Sequence, residues 1–163
     1  MNNFISTLLI GIGATAVMDL WGLVRKPLLG IARPDYKMVG RWFGHMAHGR
    51  FRHDAIAASP AVRHERLIGW TSHYLVGISF AAVLVVVWGP AWIQHPTIVP
   101  ALTIGIGSLA APFFLMQPSM GAGIAASRTP RPAAARLQSL ITHAIFGVGL
   151  YAAGWATLIA SRP

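Results

Sequence analysis

The stretch LIGWTSHYLVGISFAAVLVVVW, residues 67–88, decides the fold class. It contains no Asp, Glu, Lys or Arg, and it is long enough to cross a bilayer, which takes about 20 apolar residues in a helix. Residues 1–18, 67–127 and 137–161 are free of these four residue types as well. Only 10% of the 163 residues are charged, against about a quarter in soluble domains. The composition excludes a soluble globular domain, a disordered chain and a collagen-like fibre, and it predicts an all-α integral membrane protein.

Four membrane helices are predicted, at about 4–25, 61–88, 98–118 and 133–160, in a single domain that covers residues 1–163. Ser59 and Pro60 are residues suited to the N-cap and the first position of the second helix. The third helix contains proline, which membrane helices tolerate, and a kink is predicted near Pro112.

The basic residues predict the orientation of the chain. Nine of the 13 Lys and Arg lie between Arg25 and Arg66, three lie between Arg128 and Arg136, and the last is Arg162. Because basic loops stay in the cytoplasm, residues 26–60 and 119–132 are expected there, with both termini outside. The formal charge of +9 is then explained by topology and by attraction to anionic lipid, and no nucleic-acid partner is expected.

A basic, His-rich insertion at about 33–55 is predicted to contain an interfacial amphipathic helix. Its apolar side chains recur with helical spacing, and its basic side chains lie mostly on the opposite face, which is typical of a helix in the membrane interface. The apolar set is Tyr36, Val39, Trp42, Phe43 and Met46, and the polar set is Lys37, Arg41, His45 and His48.

The two halves of the sequence resemble each other, which predicts a duplicated helix pair. Ile10-Gly11-Ile12-Gly13 recurs as residues 104–107, Ile56-Ala57-Ala58-Ser59 recurs as residues 124–127, and the second and fourth helices align without gaps at an offset of 70. First and third helices would run in the same direction, so the repeat is parallel, with its pseudo-twofold axis along the membrane normal.

Three ionisable side chains fall inside the predicted helices: Asp19, His73 and His143. At 1.5 Å per residue, all three are expected roughly 9–11 Å inside the cytoplasmic ends, in one polar layer. Intramembrane ionisable groups are costly and therefore mark functional sites. The two imidazoles are predicted to face each other across the bundle centre, with Asp19 close to at least one of them.

Three interpretations of this layer remain open. The imidazoles could hold a b-type haem or, with Asp19, a transition metal ion. Asp19 and a histidine could instead exchange protons in a small transporter or an ion- or proton-conducting subunit. The third interpretation is purely structural, with polar side chains joining the helices. Because four short helices leave little interior volume, a transport role would need a homo-oligomer.

A second group of polar side chains lies in the insertion: His45, His48, His53, Arg50 and Arg52. His45 and His48 share a helix face, so an anionic headgroup or a divalent metal could bind there, although the spacing matches no named metal motif. A solvated basic loop against anionic lipid is the simpler interpretation. A lipid-headgroup enzyme is a third alternative for the protein, but the sequence identifies no catalytic residue.

Four segments resemble a family of small bacterial inner-membrane proteins filed as a domain of unknown function. They are residues 14–21 (ATAVMDLW), 39–46 (VGRWFGHM), 49–56 (GRFRHDAI) and 116–124 (MQPSMGAGI). The resemblance covers nearly the whole chain and implies a bacterial origin, an inner-membrane location and a single domain. It implies no activity and no catalytic residue.

Overall fold

A computed structural model of the chain describes residues 2–32 and 34–162. Arg33, where the predicted insertion starts, lies outside the described residues. The fold is all-helical, with 76% helix, and no strand occurs in the described part of the chain. Four helices are long and apolar enough to cross a membrane: Asn3–Leu29, Glu65–Trp88, Ile98–Ser119 and Pro132–Ala160. The predicted all-α membrane fold with four spans is confirmed.

The first helix, α1, runs from Asn3 to Leu29 and so continues beyond the predicted end at 25. Asn2 caps its start by accepting a hydrogen bond from the backbone N–H of Ile5. The helix ends at Gly30, which has a left-handed φ of 66° that glycine adopts without strain. The N–H of Gly30 donates a hydrogen bond to the carbonyl of Lys26.

Helix α2 spans Tyr36–Met46, inside the insertion where the sequence predicts a helix. The next helix, α3, spans Glu65–Trp88. The predicted cap at Ser59 and Pro60 is wrong, because α3 begins at Glu65, residues 63–64 form a turn before it, and His64 has a left-handed φ of 58°. Ser59 donates its hydroxyl to the carbonyl of Ala55 instead.

The third span is built from several pieces. After the short helix α4, Ala91–Gln94, α5 spans Ile98–Gly107. A π-helical segment, Ala111–Met116, follows, and α6 covers Gln117–Ser119. The π-helix begins where the sequence predicts a kink near Pro112, since a proline removes one backbone donor and π turns accommodate such defects. The last helix, α7, spans Pro132–Ala160.

The chain divides into two compact units, and each is described by itself. Nothing in this division tests the predicted single domain. The first unit comprises residues 2–32, 74–108 and 141–162. Its buried core consists of Ile10, Ala14, Ala81, Leu84, Trp92, Ile93, Ala101, Phe146, Leu150 and Ala153. Large apolar side chains also point outward, such as Phe4 at 71% and Val86 at 82% exposure. Such exposed apolar surface suits a helix that faces lipid.

Glycines bring the helices of the first unit close together. A Cβ added at Gly11 would lie 2.5 Å from the Cα of Ile78, and one added at Gly77 would collide with the hydroxyl of Thr15. On the other helix pair, a Cβ at Gly105 would lie 2.5 Å from the Cα of Gly147. Small residues at these crossings allow backbones to pack directly on each other.

The second unit comprises residues 34–73 and 109–140. Here α2 packs on the first turns of α3, backbone against backbone, because side chains at Gly40 or Gly69 would collide with each other's helix. The loop after α2 is joined to the α6 region by two backbone hydrogen bonds, His53 N–H to Ser119 O (2.9 Å) and Ile56 N–H to Met120 O (3.1 Å).

Candidate functional site

Asp19, the first of the predicted intramembrane groups, lies on α1 in the first unit. The hydroxyl of Tyr74, on α3, donates a hydrogen bond to its Oδ2 at 3.1 Å. Both side chains are half-buried. A carboxylate in an apolar setting needs such donors, and the Tyr74 hydroxyl supplies one.

His143, on α7 of the same unit, is held by Ser108 at the end of α5. The Ser108 hydroxyl lies 2.7 Å from His143 Nδ1 and donates to the carbonyl of Gly105 at 2.6 Å. A serine hydroxyl has one hydrogen, and Gly105 O can only accept it. Nδ1 therefore donates to Ser108, and the lone pair of the neutral imidazole is on Nε2.

Arg25 is a buried charge that sequence reasoning missed. The sequence interpretation used it only to mark the end of the first helix, but α1 continues and the side chain is 7% exposed. Its Nη1 donates to Thr142 Oγ1 (3.3 Å) and its Nη2 to Ala32 O (2.7 Å). The only sequence signal was the proximity of the charge to an apolar run that extends beyond it.

His73 belongs to the second unit. Its Nε2 lies 2.9 Å from the Tyr36 hydroxyl, and the two rings stack at 4.1 Å between centroids. Trp70 adds a further ring beside Tyr36, at 4.7 Å. Tyr36 was expected on the apolar face of the insertion helix, and its role as a partner of His73 was missed. The predicted approach of His73 to His143 and Asp19 stays a prediction.

The polar groups described above do not form a metal site with three protein ligands. Across residues 2–32 and 34–162, no three His, Asp or Glu side chains are grouped so that they could hold a metal ion. Binding of a metal or haem by fewer protein ligands also stays a prediction.

The most completely satisfied ion pair lies between α2 and α3, in the second unit. Arg41 donates from Nε and Nη2 to the two carboxylate oxygens of Glu65, at 2.9 and 3.1 Å. Its Nη1 reaches the carbonyls of Ile56, Ala57 and Ser59 at 3.4, 3.1 and 2.9 Å. Arg41 was expected on the polar face of α2, and this is wrong: it is 9% exposed. The hydrogen bond to Glu65 raises the pKa of Arg41 above its ordinary value.

The insertion histidines are not equivalent. His45 Nδ1 lies 2.7 Å from His53 Nε2, and His45 Nε2 lies 3.0 Å from the carbonyl of Pro60. His48, by contrast, is exposed and bonds through Nδ1 to Gly44 O of its own helix, at 2.9 Å. Arg50 and Arg52 are exposed. Of the five predicted side chains, those of His45 and His53 are thus brought together, while His48 and Arg50 contact His45 through backbone hydrogen bonds to its carbonyl, both at 3.0 Å.

His53 is the buried member of the loop, with 5% exposure. Burial lowers its pKa below the ordinary value for histidine, and the nearby charge of Arg50 lowers it further. The interpretation of this loop as simply solvated does not hold for His53 or for Arg41. The apolar sequence neighbours of Arg41, such as Trp42, were a possible signal for its burial, whereas His53 lies between Arg52 and Asp54 and carries no such signal.

A family model described as "Protein of unknown function (DUF2938)" matches residues 8–157. No curated protein and no solved structure matches the chain.

Proposed function

The chain belongs to this family of unknown function, and from the geometry of its own polar groups we propose that it is a small proton-conducting or proton-coupled membrane subunit. The observation that carries the proposal is the pairing of Asp19 with Tyr74 across two apolar helices. Titratable groups that are hydrogen-bonded inside membrane helices are the usual elements of proton relays.

The His143–Ser108 contact supports the same proposal. Its tautomer presents an imidazole lone pair at Nε2, while Nδ1 is tied to a hydroxyl that is bonded onward to a carbonyl. An imidazole gains and loses a proton near neutral pH. The first unit thus supplies a carboxylate, a phenol, an imidazole and a serine hydroxyl, all of which can take part in proton transfer.

The test is proton flux into liposomes that contain the purified protein and a pH-sensitive dye, driven by a potassium diffusion potential. Tyr74→Phe, Asp19→Asn and His143→Gln should each reduce the flux by roughly tenfold or more, as loss of a proton-transfer group does. Tyr151→Phe is the matched control for Tyr74→Phe, because Tyr151 is also a tyrosine of the first unit and contacts Trp155 through its ring. Flux equal to that of empty liposomes would reject the proposal.

The same variants separate transport from a structural role. If Asp19→Asn lowers thermal stability in detergent while wild-type liposomes carry no flux, the polar pairs serve to hold the helices together. In that case Tyr74→Phe should reduce stability more than Asp19→Asn, because Phe has no hydroxyl to donate, whereas the amide oxygen of Asn can still accept the Tyr74 hydrogen bond.

A metal ion or b-type haem at His73 and His143, with Asp19 nearby, is the second candidate. It is favoured by the orientation of His143, since metal-bound histidines commonly donate their other N–H to a neighbouring polar group. Tyr36 already contacts Nε2 of His73, so ligation there would have to use Nδ1 or replace that contact. A Soret band or a stoichiometric metal that is lost in both His73→Ala and His143→Ala would support this candidate.

We also propose a location in a bacterial inner membrane, with residues 26–60 and 119–132 in the cytoplasm and both termini outside. The distribution of Lys and Arg supports this orientation. Anionic lipid at the cytoplasmic face and a second copy of the chain are the expected partners. Alkaline phosphatase fused after the C-terminus should be active in a bacterial host. An inactive fusion there, with an active one in the 119–132 loop, would invert the orientation.

We also propose that the two halves of the chain arose by duplication of a helix pair. The glycines that match in sequence also make matching contacts: Gly11 and Gly77 lie at one crossing, with 3.4 Å between Gly11 O and a Cβ added at Gly77, and Gly105 and Gly147 meet at another. In the second unit, the matched Ile-Ala-Ala segments both form short turns, at Ile56–Ala58 and Ile124–Ala126, but only the second has left-handed φ values, 47° at Ala125 and 60° at Ala126. These pairs support a common origin of the two halves.

A further inference from the structure

The His45–His53 contact in the second unit has a defined direction. Because Pro60 O can only accept, His45 Nε2 carries the hydrogen that it shares with this carbonyl. In a neutral His45, Nδ1 is then an acceptor. The hydrogen in the 2.7 Å contact must come from His53 Nε2. A neutral His53 therefore has its lone pair on Nδ1.

That Nδ1 is buried, and in the part of the chain that the structure describes it has no hydrogen-bond partner. A second buried acceptor in the same unit also lacks a hydrogen-bond partner: Oε1 of Gln117 receives no hydrogen bond from any described residue. The two residues belong to neighbouring segments, because the backbone N–H of His53 bonds to the carbonyl of Ser119, which follows Gln117 in the α6 turn. Unsatisfied buried polar atoms are uncommon and call for an explanation.

Two buried acceptors, on segments that are joined by a backbone hydrogen bond, both lack a hydrogen. We propose that His45, His53 and Gln117 form a proton-binding site, in which uptake of one proton from water by His53 Nδ1 creates a donor for Gln117 Oε1. Rotation of the Gln117 side chain would complete this hydrogen bond.

The charges around His53 decide the pH at which the proton binds. Arg50 and Asp54 lie on its own loop, and His45 faces it from α2. The segment Gln117–Met120 that packs on it carries no ionisable side chain. Burial, Arg50 and His45 oppose the cation, a hydrogen bond to the Ser119 backbone and the charge of Asp54 favour it, and the net direction is a pKa below that of an ordinary histidine. The site therefore binds its proton at a lower pH than an ordinary histidine does.

The proposal goes beyond proton conduction, because it concerns the second unit and does not depend on flux. It is tested by nitrogen NMR of histidine-labelled protein in detergent micelles, titrated from pH 8 down to about pH 4. His53 Nδ1 should change from a lone-pair nitrogen to an N–H nitrogen at a pH below the ordinary histidine value of about 6.5. In Gln117→Leu the His53 midpoint should fall by about one pH unit, a tenfold loss of proton affinity, which is the size expected for a hydrogen bond to a charged group.

Gln117→Glu provides the opposite test, because a carboxylate at this position should raise the His53 midpoint. It also keeps the proposal testable if Gln117→Leu does not fold. A midpoint at or above the ordinary histidine value of about 6.5, or a midpoint that neither Gln117 variant changes, would overturn the proposal. Loss of proton flux in the Asp19 or His143 variants has no bearing on this result, so the two proposals fail separately.

Discussion

Arg41 and Glu65 join helices α2 and α3 through two parallel hydrogen bonds, at 2.9 and 3.1 Å, in a setting where both residues are buried. The remaining guanidinium nitrogen is used by three backbone carbonyls of residues 56–59. Glu65 also accepts the backbone N–H of Val62 at 3.2 Å. This set of contacts, which we call the Arg41 clamp, fixes the turn before α3 and the helix of the insertion to each other.

Removing either charge of the clamp should destabilise the protein strongly. Arg41→Ala leaves a buried carboxylate without its partner, and Glu65→Ala leaves a buried guanidinium, so each should lower the free energy of unfolding by about 3–5 kcal/mol. Denaturant unfolding in micelles, followed by circular dichroism, measures the change.

Lys37→Ala is the control for the clamp. Lys37 Nζ lies 3.9 Å from Glu65 and is half exposed, and exposed pairs contribute about 1 kcal/mol or less. A loss in Lys37→Ala as large as that in Arg41→Ala would show that long-range charge, and not the buried hydrogen bonds, stabilises this region.

Two glycines of the third span should respond differently to the same change. Gly105→Ala places a Cβ 2.5 Å from the Cα of Gly147, so the helices must separate, at a cost of about 1–3 kcal/mol. Gly107 has nothing within 4 Å of the added atom, and Gly107→Ala should be neutral or stabilising by up to about 1 kcal/mol. Thermal unfolding of the two variants measures this difference, and equal effects would contradict the helix crossing.

Stability should fall in acid because of His53. Its pKa is lowered in the folded protein by burial and Arg50, so between the folded and unfolded pKa values the unfolded chain binds more protons. The free energy of unfolding is therefore highest above the unfolded value of about 6.5. Below it the free energy falls by up to about 1.4 kcal/mol per pH unit, until the folded pKa is passed.

The difference between wild type and His53→Gln isolates this contribution from those of other histidines. Unfolding curves between pH 8 and pH 5 should show a smaller loss for His53→Gln, while His48→Gln should follow the wild type. A His53→Gln curve parallel to that of the wild type would show that His53 does not set this dependence.

Trp42 should protect the loop that follows α2. Its indole N–H donates to the carbonyl of Phe51 at 2.8 Å, and the two rings meet edge to face at 5.4 Å. Trp42→Ala removes both contacts, so trypsin should cleave faster at Arg50 and Arg52, which flank Phe51 and are already exposed. Trp88→Ala, at the far end of α3, is the matched control and should leave the cleavage rate unchanged.

The membrane fold was predictable because apolar length is a local property of the sequence. Stretches without charge identify four spans, and amphipathic spacing identifies α2. The start of α3 was predicted too early, because Ser59 and Pro60 fit a helix start locally. The carbonyl of Ser59 instead accepts a hydrogen bond from Arg41, a contact that no local pattern contains.

For the candidate site, the sequence could predict only which ionisable residues fall inside the apolar helices. Asp19, His73 and His143 were identified because an ionisable group in an apolar run is conspicuous, but their hydroxyl partners lie far away in sequence: Tyr74 is 55 residues from Asp19 and Ser108 is 35 residues from His143. The burial of Arg25, Arg41 and His53 was missed for a related reason. A charge inside a basic segment is expected to be solvated unless its tertiary partner is known.

The Arg41 clamp has a consequence for how the chain is made. Its side chains are separated by only 24 residues, and its other contacts lie between them. All of its parts have therefore been translated once the first turn of α3 has been made, before the third and fourth spans. Since folding during synthesis proceeds from the N-terminal side, the clamp can form before those later spans are complete.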